Sequence, residues 1–118
     1  MHWKQLKVWQ HAHELVLEIY RNTADFPRGE QFGVSDQLRR AAYSITANIV
    51  EGQSRNTTKE YTQFLYNARG SVEEARYFLL LSNDLGYLKQ QVFEELESRY
   101  EHVSRLLNGL IKSLKGRK

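Results

Sequence analysis

Apolar residues return every third or fourth position along nearly the whole chain, in four stretches separated by short polar or glycine-bearing breaks, which predicts four amphipathic helices. The first, about 7–24, carries Val8, Trp9, Ala12, Leu15, Val16, Ile19 and Tyr20, with Gln10, Glu14, Glu18 and Arg21 between them. Phe26-Pro27-Arg28-Gly29 ends it, because the residue before a proline is driven out of the helical region. The second, about 35–54, begins at Ser35 as a capping hydroxyl and runs through Leu38, Ala41, Ala42, Ile45 and Ile49. Its small residues Ala41, Ala42, Ser44 and Ala47 predict that another helix comes close there. The third, about 58–85, starts at a Thr57/Glu60 capping box and continues through Tyr61, Phe64, Leu65, Ala68, Val72, Ala75, Phe78, Leu79 and Ser82. Gly86 stands where a left-handed residue closes a helix. Gly70 inside it costs about 1 kcal/mol relative to alanine, which predicts a neighbour pressing on that point. The fourth, about 89–115, places Val92, Leu96, Tyr100, Val103, Leu107, Leu110, Ile111 and Leu114 on one stripe, with Glu94, Glu95, Glu97, Arg99 and Glu101 facing water. Long helices joined by short links predict an all-α fold, an antiparallel up-and-down four-helix bundle, with residues 1–118 forming a single domain.

One stretch is too greasy for a lone bundle. Phe78, Leu79, Leu80 and Leu81 encircle the third helix through about 300° at roughly 100° per residue, so they cannot all face one core. Phe78, Leu80 and Leu81 are therefore the candidate interface with other copies of the chain, with Tyr66 and Tyr77 as further outward aromatics. The longest unbroken apolar run, Phe78 to Leu81, falls far short of the roughly 20 residues of a membrane helix. The opening MHWKQLKVWQHAHE is amphipathic and charged, unlike a secretion signal. Without cysteine there is no disulfide, thiolate metal site or thiol nucleophile, and the expected location is cytoplasmic.

The net charge is +3, but it is unevenly placed. From Arg105 onward the chain holds Arg105, Lys112, Lys115, Arg117 and Lys118 and no acid, five positive charges that leave the remainder slightly acidic. Cations also suit the last turn of a helix by complementing its dipole. With Arg55 and Lys59 these five make up the candidate nucleic-acid-binding set.

Enzyme chemistry is hard to find. His11 and His13 diverge by about 200° around a helix and cannot share a metal, while His2 and His102 stand apart from them in sequence. Glu73-Glu74 and Glu94-Glu95 diverge by about 100°, no Glu-x-x-His step exists for a ferritin-like metal site, and Glu51-Gly52-Gln53-Ser54-Arg55 lacks the pattern of a phosphate loop. Neither a cofactor nor a metal is expected. Arg99 and His102 have the residue types of a HEPN-type ribonuclease but too short a spacing, so that reading stays a minor alternative. Two polar clusters, Arg39, Arg40, Asn48, Glu51 and Arg55, then Arg69, Ser71, Glu73 and Glu74, are read as a network locking helix to helix, because buried charge persists only when paired; the alternative is that unpaired arginines among them line a surface for phosphates.

The segments LKVWQHAHELVLEIYRNTADFP, QFGVSDQLRRAAYSITANIVEGQSR and KEYTQFLYNARGSVEEARYFLLLSNDLGYL together resemble the four-helix-bundle family named after proteins encoded in intervening sequences of bacterial 23S rRNA genes. The likeness runs from Leu6 to about Leu114. Positions matching the family pattern are Arg40, Asn48, Glu51, Gly52, Arg55, Phe64, Ala68, Arg69, Gly70 and Ser71, followed by Leu85-Gly86-Tyr87; Thr46 stands where the family usually has proline. The resemblance implies a homopentameric ring of bundles without enzymatic activity. More distant relatives, the accessory variability determinants of diversity-generating retroelements, imply RNA or DNA and a reverse transcriptase as partners. The leading expectation is thus a non-catalytic oligomer that holds nucleic acid through basic surfaces, with a protein-interaction adaptor as the alternative.

Overall fold

The computed structural model describes residues 2–30 and 33–116 and contains no strand among them. A 3-10 turn at Trp3–Gln5 leads into α1 (Lys7–Thr23), and a second at Arg28–Glu30 precedes α2 (Val34–Gln53); α3 (Thr58–Asp84) and α4 (Gln90–Lys115) follow. The side chain of His2 caps the first turn, its Nδ1 accepting from the Lys4 N–H at 3.2 Å. α2 starts one residue earlier than its sequence suggests. Gly33 is its N-cap, so Ser35 lies buried in the first turn instead of capping it.

Cross-helix contacts define the register. His11 meets His102 and Glu14 meets Arg99 between α1 and α4; Ser44 meets Ser71 between α2 and α3; Arg69 meets Asn108 and Arg76 meets Glu97 between α3 and α4. Between α1 and α4, and between α3 and α4, one number rises as the other falls, and the approach of Gly52 to Phe64 beside the Ser44–Ser71 contact shows the same for α2 and α3, so these neighbours run antiparallel. Each helix packs on the one before it, and α4 closes back on α1. The result is an up-and-down bundle of 49 × 24 × 20 Å.

One continuous core fills it, including Leu15, Ile19, Leu38, Ile45, Ile49, Leu65, Val72, Leu79, Leu96, Tyr100 and Leu107. These are the positions that the three- and four-residue period assigned inward, and burying each large aliphatic chain contributes about 1.5–3 kcal/mol. α2 and α3 make the most extensive contact. At Gly52 an added Cβ would stand 2.8 Å from Phe64 Cβ and 3.0 Å from Tyr61 Cδ1, so only glycine admits this approach. Ala41 and Ala42 are buried as expected, whereas Ala47 is exposed. The pressure expected at Gly70 is absent: nothing lies within 4 Å of where its Cβ would be, and the residue faces outward.

The ends of α3 are well made. Thr57 Oγ1 accepts from the Glu60 N–H at 3.1 Å and lies 2.9 Å from the Glu60 carboxylate as its donor. The carboxylate thus takes the hydroxyl proton, where a full capping box would take the Thr57 N–H. At the other end Gly86 has φ +81°, its N–H donates to Asn83 O at 3.0 Å, and the Tyr87 N–H donates to Ser82 O at 2.9 Å. This is a Schellman closure, and it turns the chain sharply into α4.

Candidate nucleic-acid interface

α3 and α4 lie side by side, and their shared outer seam carries most of the chemistry. On α3, Lys59, Tyr66 and Arg69 recur at helical spacing along the seam. On α4, Asn108, Lys112 and Lys115 do the same, four and three residues apart. Because the helices run antiparallel, the two rows meet. Arg69 Nη1 donates to Asn108 Oδ1 at 2.9 Å, and the Lys115 ammonium lies 5.3 Å from the centre of the Tyr66 ring. The Arg69 guanidinium lies 4.8 Å from the same ring. Beside the ring opens a groove of about 390 Å³ lined by Thr58, Lys59, Thr62, Gln63, Tyr66, Leu114 and Lys115, with no acid among them. Lys59, Arg69, Lys112 and Lys115 make no ion pair among the described residues.

Only part of the seven-residue set named from sequence converges here. Lys59 and Lys115 share the groove, and Lys112 lies one turn before Lys115. Arg55 is held by Glu51 at 3.0 Å and covers Phe64, its guanidinium 4.6 Å from that ring. Arg105 donates to Glu101 at 2.7 Å and leans over the opposite seam, between α1 and α4. Arg117 and Lys118 lie outside the described residues. Arg69, read from sequence chiefly as structural and only in the alternative as a phosphate-lining arginine, and Tyr66, read as an outward aromatic, are the members outside that seven-residue set. The signal available was their spacing on one face of α3, but the face acquires meaning only when α4 is laid beside it.

Toward the other end of the seam the cations are committed. Arg76 Nε donates to Glu97 Oε1 at 2.7 Å, its Nη2 lies 2.6 Å from the same oxygen, and Nη1 donates to Glu73 at 3.1 Å. The hydrogen bond to Glu97 holds the Arg76 guanidinium above its ordinary pKa against the opposing effect of burial. Glu97, expected to face water, is therefore half-buried in this link. Around the pair, Tyr77, Leu80 and Phe93 line a depression of about 400 Å³. Leu80 is 45% exposed and Tyr77 56%, whereas Phe78 and Leu81 are half-buried and Leu79 belongs to the core. Of the three interface candidates, Leu80 alone points clearly outward.

The single helix-locking network expected from the polar clusters is instead a set of separate links. Thr23 Oγ1 accepts from Arg39 Nε at 2.9 Å and ties α1 to α2. Ser44 and Ser71 hydroxyls meet at 2.9 Å between α2 and α3, with the Asn48 amide donating to Ser44 O at 2.8 Å. Arg40 only reaches Asp36 at 4.0 Å on its own helix. His102 is not isolated: its ring meets that of His11 edge to face at 4.9 Å, in a cleft of about 410 Å³ with Glu14, Ser98, Arg99 and Arg105. Arg99 there lies 3.7 Å from Glu14 and 3.9 Å from Glu95, so its charge is shared between two carboxylates. His13 stacks on Trp9 at 4.8 Å. No three metal-ligating side chains come together among the described residues, and no helix there is long and apolar enough to cross a membrane.

Four antiparallel helices around one core, with a basic seam between the last two, define the molecule as an all-α four-helix-bundle protein. The sequence matches the family described as 23S rRNA-intervening sequence protein over residues 4–109, and the chain belongs to that family. A similar solved structure is the crystal structure of a protein with unknown function from the S23 ribosomal protein family of Bacteroides thetaiotaomicron VPI-5482. The two share 24% sequence identity at a TM-score of 0.80, over 89% of this chain and 98% of that one. At that identity the likeness bears on the fold alone. No curated protein matches the chain.

Proposed function

We propose that this protein is a non-catalytic scaffold that holds RNA or DNA through its phosphates along the α3/α4 seam, as a ring of copies that multiplies the basic surface. The observation that carries this reading is the set Lys59, Arg69 and Lys115 gathered around Tyr66 in a groove with no acid in its lining, with Lys112 one turn before Lys115 on the same helix. Cations without carboxylate partners can neutralise phosphates and release the counterions condensed on them, which makes affinity fall steeply with salt. A single seam offers few such contacts. Repetition through an oligomer, pentameric by resemblance to the family, raises the effective concentration of each next contact. Leu80 and Tyr77 are the surface through which copies would join.

The test is a titration of labelled single-stranded RNA and duplex DNA at two salt concentrations, with the mass in solution measured in parallel. Binding that weakens as salt rises is expected. Absence of binding at low salt overturns the reading. A protein-interaction adaptor, with a polymerase such as a reverse transcriptase as partner, is the second reading, favoured by the exposed Tyr77 and Leu80. Removing the residues after Leu114 separates the two, because nucleic-acid binding would weaken while docking of a protein would persist.

A further inference from the structure

Resting on the reading of the seam as a nucleic-acid surface, we infer that the groove beside Tyr66 seats an unpaired nucleobase, so that the ligand is single-stranded and is held by stacking as well as by phosphate contacts. Four observations converge on this. The groove is large enough to count as a small-molecule site, at about 390 Å³. Its floor is apolar and aromatic, from Leu114 and Tyr66, and its rim carries the Gln63 amide and the ammonium groups of Lys59 and Lys115. Tyr66 is flanked by two cations, at 4.8 and 5.3 Å from the ring centre. Gly70, one turn further along α3 and about 40° from Tyr66, places no side chain next to the ring and contacts nothing within 4 Å.

The two cations differ in how firmly they are held. Arg69 is anchored by its hydrogen bond to Asn108, whereas the Lys115 ammonium makes no hydrogen bond or ion pair among the described residues beyond its approach to the ring. A lysine head on a flexible stem over an aromatic face is weakly committed at an exposed site. When a strand arrives, the Lys115 ammonium moves from the ring to a phosphate, and the base takes the vacated face. Gln63 can then meet the base edge with either an amide donor or a carbonyl acceptor. The pattern of a stacking platform inside a basic groove is sequence-tolerant, because every base offers a π face. A duplex cannot use it, since its bases are already stacked on one another.

The other cation–ring pairs differ. Arg55 over Phe64 is fastened to Glu51, Arg39 over Tyr20 is fastened to Thr23, and Lys4 lies 5.6 Å from the centre of a Trp3 ring that His2 and Trp9 already contact.

The experiment compares a labelled 12-nucleotide oligo(dA) with an abasic strand bearing the same number of phosphates, both titrated into the unmodified full chain at low salt. Stacking predicts that oligo(dA) binds about ten-fold more tightly than the abasic strand, at the scale of one seated base. Tyr66→Phe keeps that ratio, Tyr66→Leu collapses it, and Lys115→Gln weakens both strands alike. Circular dichroism melting accompanies each variant, because Tyr66 also packs against the core. Equal binding of the two strands by the unmodified chain overturns the stacking inference and leaves the phosphate reading standing. Failure of both strands to bind overturns the phosphate reading itself.

Discussion

The two ends of the α3/α4 seam are made by the same pair of helices, yet they treat their cations in opposite ways. Toward the C-terminus of α3, Arg76 is gripped by Glu97 from α4 and by Glu73 from its own helix, and the apolar side chains Tyr77, Leu80 and Phe93 surround the pair. In the N-terminal half of α3, Lys59, Arg69 and Lys115 surround Tyr66 with no carboxylate lining the groove, and Lys112 lies one turn before Lys115. A cation matched by carboxylates is committed to holding helix to helix. An unmatched one is available to an external anion. The lesson is that net charge, a modest +3, says little about binding; what matters is whether acids are placed within reach of the bases.

The sharpest way to break this comparison is to reverse the unmatched end. Lys59→Glu with Lys115→Glu would lower nucleic-acid affinity by about 100-fold or more at low salt and flatten its salt dependence, as measured by fluorescence anisotropy, because two favourable phosphate contacts become repulsive. The same substitutions would leave the urea midpoint nearly unchanged, since neither lysine is in an ion pair.

At the matched end the expectation inverts. Arg76→Ala would cost about 1–2 kcal/mol in urea denaturation, by loss of charge-assisted hydrogen bonds that are partly screened by solvent, and would leave nucleic-acid binding unaltered. If binding fell with stability intact, the distinction between committed and available cations would fail.

On the core face of α4, Tyr100 offers a third probe that depends on pH. Its phenol is buried without a hydrogen-bond partner among the described residues, and burial pushes its pKa well above the ordinary 10.0. A pKa raised in the folded state means that the contribution is complete below pH 10, the value in the unfolded chain, and is lost as pH climbs toward the folded value. Tyr100→Phe would therefore match or exceed the unmodified protein by up to about 1 kcal/mol at neutral pH. Its advantage would widen by about 1.4 kcal/mol per pH unit above 10, measured as the difference between two urea titrations. The smallest effect belongs to Gly70→Ala. With open space where the Cβ goes, it would stabilise the fold by about 0.5–1 kcal/mol, read as a rise in Tm.

Much of the bundle is legible in the residue pattern, and the reasons are local. Thr57 at the head of α3 and Gly86 at its foot announce its ends because capping and left-handed closure need particular residues at particular steps. The inward stripe of α4 reads directly, as does the excess of apolar residues at Phe78–Leu81. The two glycines of the middle helices do not. Gly52 was not singled out as a contact point, and Gly70 was, while the structure reverses them: a Cβ at Gly52 would clash with Phe64, and one at Gly70 meets nothing. A glycine inside a helical period carries the same conformational cost wherever it stands, so sequence cannot say which one has a neighbour.

The chain's own order of residues determined the four helices, both ends of α3 and the buried stripes, because hydrogen-bond capping and the 3.6-residue period act within a few residues. Only the tertiary structure decided which charges are matched. Glu97 reaches Arg76 across 21 positions, Asn108 reaches Arg69 across 39, and His11 meets His102 from opposite ends of the chain. Whether a lysine has a carboxylate beside it depends on how antiparallel helices fall into register, and that register is set by the packing of the whole core.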